Sequence, residues 1–255
     1  MPPVTVKEST SVFQSGGKPV RLDAYLPETS EGAFPAVIAL HGAGGGISGM
    51  EHYAGTLATQ GFAVYLLHYF DRAGIGAPER QIDGRQTVEQ KHVEQKLIKR
   101  KIVRNFPLWM RTLWDATSFV EKQPAVDGER IALLGFSLGA YLSLANSAID
   151  PRVKAVVEFF GGMPKEMNLF MRRLCPVLIL HGEADLTVPV EEAYQLQKLL
   201  EKKGVPYELK IYPGAGHGFS FNSNFEDQTI WRDAGRRSLQ FLQKHLDASQ
   251  SEKPT

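Results

Sequence analysis

The sequence predicts an α/β fold: a mostly parallel central sheet with helices on both faces and an N-terminal antiparallel hairpin at one edge. Six apolar runs of strand length recur along the 255 residues: PAVIALHG (35–42), GFAVYLLHYF (61–70), RIALLGFS (130–137), VKAVVEFFG (153–161), PVLILHGEAD (176–185) and YELKIYP (207–213). They are continuous or nearly continuous, the pattern of strands buried on both faces. Between them lie helix-length segments at about 48–60, 108–122, 138–148, 190–203 and 226–246, so strand and helix alternate as a parallel sheet requires.

The elements follow in chain order. SVFQSGG and KPVRLDAYLP meet at Gly16-Gly17 and read as two strands of an edge hairpin. The stretch at about 71–106 then breaks the rhythm, because a strand-to-helix loop is ordinarily a few residues long. It reads as an inserted helical excursion or lid. Within it Val93, Leu97, Ile98 and Ile102 share one helical side, and residues 88–104 set Lys91, Lys96, Lys99, Arg100, Lys101 and Arg104 against only Glu89 and Glu94. A packed amphipathic helix with a solvated basic face is the plain reading; a lid that draws in anionic substrates is the sharper one. The final helix carries Ile230, Ala234, Leu239 and Leu242 at near-helical spacing, and the polar tail at 248–255 is expected to be disordered.

Bulk properties bound the function. With 43% apolar residues the chain 1–255 can build one sizeable core and is expected to be a single domain. A formal charge of +1 leaves no electrostatic footprint for nucleic acid. The start, MPPVTVKEST, lacks a basic segment followed by an apolar one, and no apolar run approaches 18 residues. No membrane association and a cytoplasmic location are therefore expected. The single cysteine, Cys175, stands beside Pro176 at the start of an apolar strand and reads as a small buried hydrophobe.

The chemistry centres on Gly135-Phe136-Ser137-Leu138-Gly139, where a strand should turn into a helix. With 24 glycines in the chain, a G-x-S-x-G arises by chance in roughly one such sequence in eight, so its context has to decide. A tight strand-to-helix turn strains the serine backbone and leaves no room for Cβ atoms two residues to either side, which Gly135 and Gly139 satisfy. The helix start leaves the Leu138 amide free to donate to a developing oxyanion. Serine needs a base, and a base needs an acid. Asp185 ends the run PVLILHGEAD, and Glu158, ending the run before it, is the rival acid. His217 lies in the Gly-rich PGAGHGF, where small neighbours would let an imidazole swing toward the serine; His41 and His181 end strands as His-Gly and read as loop braces. The loop His41-Gly42-Ala43-Gly44-Gly45-Gly46 offers the second oxyanion amide, from Ala43 first and Gly44 next. No nucleotide-binding glycine pattern and no zinc-ligand spacing is found, so neither metal nor organic cofactor is expected.

From about 18 to 246 the chain resembles the dienelactone hydrolase family of the α/β-hydrolase superfamily. The resemblance is carried by the HGAGG loop, GFSLGA at the elbow, EFFGGMP after it, LILHGEADLTVP with Asp185 and GAGHGF with His217. It implies the α/β-hydrolase fold and a Ser137, Asp185, His217 triad, in that family's chain order. The chain departs where the enzyme that gives the family its name has a cysteine nucleophile and, in the 42–46 loop, a carboxylate. Serine members suggest a carboxylic ester hydrolase acting on a small-molecule ester, as a monomer or homodimer. A peptidase or thioesterase on the same fold, or a non-catalytic protein that kept it, are the alternatives. Phe70, Arg72, Phe160, Met163, Met167 and Phe219 are candidate substrate contacts or, equally, packing residues.

Overall fold

A computed structural model of the chain describes residues 5–28, 32–47, 49–74, 88–164, 173–219 and 224–247. The edge hairpin forms from β1 (Val6–Ser15) and β2 (Lys18–Pro27), paired from Val6 opposite Pro27 to Ser15 opposite Lys18. Its two-residue turn puts Gly16 at φ 56° and Gly17 at φ 75°, the left-handed pair that lets strands keep their twist through so short a loop.

The chain continues as β3 (Phe34–Leu40), α1 (Met50–Thr59), β4 (Ala63–Leu67), α2 (Val88–Val120), β5 (Val126–Phe136), α3 (Leu138–Ser147) and β6 (Val153–Phe159). It closes with β7 (Val177–Gly182), α4 (Glu191–Lys203), β8 (Tyr207–Tyr212) and α5 (Asn224–Leu246). Among the described residues the eight strands form one sheet in the order β1-β2-β4-β3-β5-β6-β7-β8. β2 is antiparallel to both neighbours, and every pairing from β4 through β8 is parallel.

Alternate residues of the central strands feed two cores. Ile38, Leu133 and Ile179 pack with Trp109 and Leu113 of α2, Leu142 of α3 and Leu196 of α4. Val37, Leu134 and Leu180 pack with Leu57 of α1 and Phe241 and Leu242 of α5 on the opposite face. Each such Leu or Ile, once enclosed, contributes about 1.5–3 kcal/mol. Both faces being covered is why the central runs read as nearly continuously apolar.

The expected helices at 88–104 and 108–122 are one helix, α2, which runs through Pro107. Proline deprives the carbonyl four residues earlier of its amide donor. That residue, Val103, is 67% exposed, so water can take the donor's place. The rest of the excursion at 75–87, Met167 and the tail at 248–255 lie outside the described residues. Among those described, no helix is long and apolar enough to cross a membrane.

Candidate active site

Parallel register places the C-terminal ends of β3, β5, β6, β7 and β8 along one edge of the sheet, with Leu40 opposite Gly135, Phe136 opposite Phe159 and Gly182 opposite Tyr212. Loops leaving that edge carry every side chain of the candidate site, the usual place for function in an open parallel sheet.

The turn at Ser137 is as tight as its glycines imply. A Cβ on Gly135 would fall 2.3 Å from the Gly139 carbonyl oxygen, and one on Gly139 would fall 2.4 Å from that of Leu40. Ser137 itself sits at φ 52°, ψ −114°, a left-handed conformation that costs a non-glycine residue about 1–3 kcal/mol. Its N–H donates to Phe159 O at 2.9 Å, and its own carbonyl accepts the Ala140 and Tyr141 amides that open α3.

Ser137 Oγ lies 3.1 Å from His217 Nε2, and His217 Nδ1 lies 2.7 Å from Asp185 Oδ2. Asp185 is 4% exposed, and its Oδ1 accepts the amides of Thr187 and Val188. Burial pushes this carboxyl up, but the hydrogen bond from His217 and those backbone amides outweigh it and hold the pKa below the usual carboxylate value. The carboxylate therefore takes the proton side of the imidazole at Nδ1, leaving the Nε2 lone pair facing the serine hydroxyl. Such an array can move a proton from hydroxyl to imidazole and hold the resulting cation.

The loop around His217 does not swing freely. Ala184 N–H donates to Ala215 O at 2.9 Å, and Ala215 and Phe219 amides bond within the loop. A Cβ on Gly182 would stand 2.3 Å from Ala215 O, so the glycines here serve close approach of the acid and histidine loops rather than mobility. His181, fully buried, pairs its Nε2 with Val188 O at 2.9 Å and so clamps the turn that presents Asp185. Desolvation lowers its pKa and keeps it neutral.

The loop after β3 reaches the same place. A Cβ on Gly42 would contact Ser137 Cβ at 3.4 Å, which brings the Ala43 and Gly44 segment beside the serine, next to Leu138 at the start of α3. Gly42 O accepts from His41 Nδ1 at 2.8 Å and from the Gly45 amide at 3.0 Å, while Tyr69 donates its hydroxyl to His41 O. His41 thus braces the loop, and burial pushes it down to about 4.

The candidate substrate contacts separate. Phe160 stands edge-on to His217 with centroids 5.0 Å apart. Phe219 is fully buried behind it against Tyr212 and Trp231, and Phe70 is enclosed by His41, Tyr69 and Trp109; both are packing residues. Met163 is 6% exposed and belongs to the core of the α2 face. Arg72 is engaged away from the array: it donates to Ser15 Oγ at 2.7 Å and lies 3.9 Å from Asp115, pinned under the hairpin turn. Sequence reasoning missed this pin because Ser15 and Asp115 are 100 residues apart. Among the described residues no group of His, Cys, Asp or Glu is arranged to hold a metal ion.

The family model described as the dienelactone hydrolase family matches residues 22–246. A carboxymethylenebutenolidase homolog of Xenopus tropicalis is 27% identical over 47% of this chain and 50% of its own length. The mitochondrial acyl-coenzyme A thioesterase 2 of Mus musculus is 28% identical over 74% of this chain and 37% of its own. Among solved structures, a dienelactone hydrolase from Anabaena variabilis superposes with a TM-score of 0.68 at 19% identity, covering 94% of this chain and 99% of that one. The matches span half or less of the length of both curated relatives.

Proposed function

From the premise that this chain belongs to the dienelactone hydrolase family, we propose that it cleaves carboxylic esters by acyl transfer through Ser137. The observation that carries the proposal is the hydroxyl–imidazole–carboxylate array, closed at 3.1 and 2.7 Å. Ser137 Oγ attacks the ester carbonyl as His217 Nε2 takes its proton, and Asp185 stabilises the imidazolium. The imidazolium then protonates the leaving alcohol. Water, deprotonated by the same nitrogen, attacks the acyl-serine and releases the acid. The amides of Leu138 and Ala43, with Gly44 next to it, receive the oxyanion; one such donor contributes about 3–4 kcal/mol to the transition state.

The partner proposed is a small-molecule ester whose carbonyl would meet Ser137 beside the Phe160 ring, which rests against His217. Thioesters are the second reading, which the likeness to the mouse acyl-coenzyme A thioesterase over 74% of the chain fits without favouring. Matched oxygen esters and thioesters of one acyl group separate the two. Ser137→Ala is expected to abolish hydrolysis of p-nitrophenyl acetate while leaving the melting temperature close to wild type. A fluorophosphonate is expected to label Ser137 stoichiometrically; hydrolysis retained by the alanine variant, or labelling at another residue, sinks the proposal.

A further inference from the structure

One ionisable side chain is enclosed beside the array and takes no part in the steps above. Glu158 of β6 has no exposed surface and projects to the same face as Val156. Its Oε2 accepts the Gly161 N–H at 2.9 Å, and its Oε1 has no hydrogen-bond partner among the described residues. It does not serve His217, whose Nδ1 is held by Asp185. Enclosing a carboxyl is costly, so its one contact needs a reason.

That contact closes a turn whose three residues each touch the site. Phe159 O receives the Ser137 amide. Phe160 sits at φ 42°, gives its own amide to Leu180 O at 2.8 Å, and lays its ring edge against His217. Gly161 is pressed onto the elbow: a Cβ there would stand 2.4 Å from Ala140 Cβ and 3.2 Å from Ser137 O. A left-handed phenylalanine persists only where its surroundings over-determine it. The bond from Gly161 to Glu158 supplies that constraint from the far side of the turn.

We propose that Glu158 is a positioning residue for the Ser137–His217 pair, holding through Gly161 the left-handed turn against which the imidazole rests. The inference builds on the reading of Ser137 as nucleophile. Burial pushes the Glu158 carboxyl up to about 8, so near neutral pH it acts as an uncharged acid whose carbonyl oxygen accepts the amide. A glutamine can imitate that; a leucine of similar size cannot.

The test compares wild type, Glu158→Gln and Glu158→Leu, with Glu158→Met in place of leucine if that form does not fold. Competent serines are counted by fluorophosphonate titration, and kcat and KM are measured on p-nitrophenyl esters below the lowest melting temperature of the set. Glutamine is expected to keep kcat per titrated site within about threefold of wild type, whereas the apolar form loses about ten- to a hundredfold with KM within about twofold. An apolar form with wild-type kcat per titrated site, whatever its melting temperature, overturns the proposal by reducing Glu158 to core filling. So does a glutamine form that loses tenfold or more. Absence of labelling in wild type fails the Ser137 reading instead, and the two failures are thereby distinct.

Discussion

Glu158→Gln is also expected to flatten the pH dependence of stability between about pH 4.5 and 8. Desolvation, opposed only by the Gly161 amide, raises this carboxyl from 4.5 to about 8 in the folded chain. The unfolded chain releases the proton near the lower value and the folded chain keeps it to the higher one. Within that window the native state binds more protons, so stability falls as pH rises, by up to about 1.4 kcal/mol per unit. The contribution is fully present below the window, and over the 3.5 units between the two values it declines by about 5 kcal/mol. Domains of this kind are stable by roughly 5–15 kcal/mol, so the loss is a large part of the whole. Urea midpoints of wild type and the glutamine variant at pH 5, 6, 7, 8 and 9 give a difference curve from which Asp185, whose shift runs the opposite way, cancels. A wild-type curve that declines toward pH 8 relative to the variant supports the assignment. Parallel curves would refute the buried, protonated carboxyl.

Gly139→Ala is expected to lower stability by about 3 kcal/mol or more, since its Cβ would meet the Leu40 and His41 carbonyls at 2.4 and 2.7 Å and backbone cannot yield cheaply; a melting temperature within two degrees of wild type contradicts the packing described. Arg72→Met, which frees Ser15 and Asp115 from their guanidinium, should lower stability by about 1–3 kcal/mol and leave KM for anionic esters unchanged. A KM that rises selectively for anionic esters would restore Arg72 to the substrate site. Asp185→Asn should drop kcat by about four decades, because the imidazole loses the partner that fixes its tautomer, and steady-state kinetics showing less than a tenfold change would remove Asp185 from the array.

The sheet was legible because burial on both faces writes itself as nearly continuous apolar runs, clearest in β3, β4 and β7; β8 at the edge, with Glu208 and Lys210 and mostly half-buried residues, keeps only the alternating pattern. Boundaries were less so. GFAVYLLHYF reads as strand to residue 70, yet β4 stops at Leu67 because His68 turns to Asp23 at 2.6 Å and Tyr69 and Phe70 pack under the His41 loop. Nothing local to those residues marks the change: the competing partners are separated by 45 and 28 residues. Helix α2 runs on through Pro107 for a related reason, since a proline's penalty depends on whether water can reach the orphaned carbonyl, and exposure is a tertiary property.

The array was legible for a different reason. Gly135, Gly139 and Gly182 are each required by a backbone oxygen 2.3–2.4 Å from where a Cβ would be, so glycine spacing records contacts that the chain makes far away in sequence. Side chains that act through another residue leave no such record. Glu158 ends an apolar strand in the very place where a rival acid could stand, and by residue type alone it competes with Asp185 for His217. Strand position and the family's chain order favour Asp185, and the hydrogen bonds give the physical reason: one carboxyl is supplied with three donors and ionises, while the other receives a single amide and, pushed up to about 8, stays protonated near neutral pH. Two acids of the same sequence pattern thus take opposite charge states, and the number of hydrogen bonds offered to each decides which can stabilise an imidazolium.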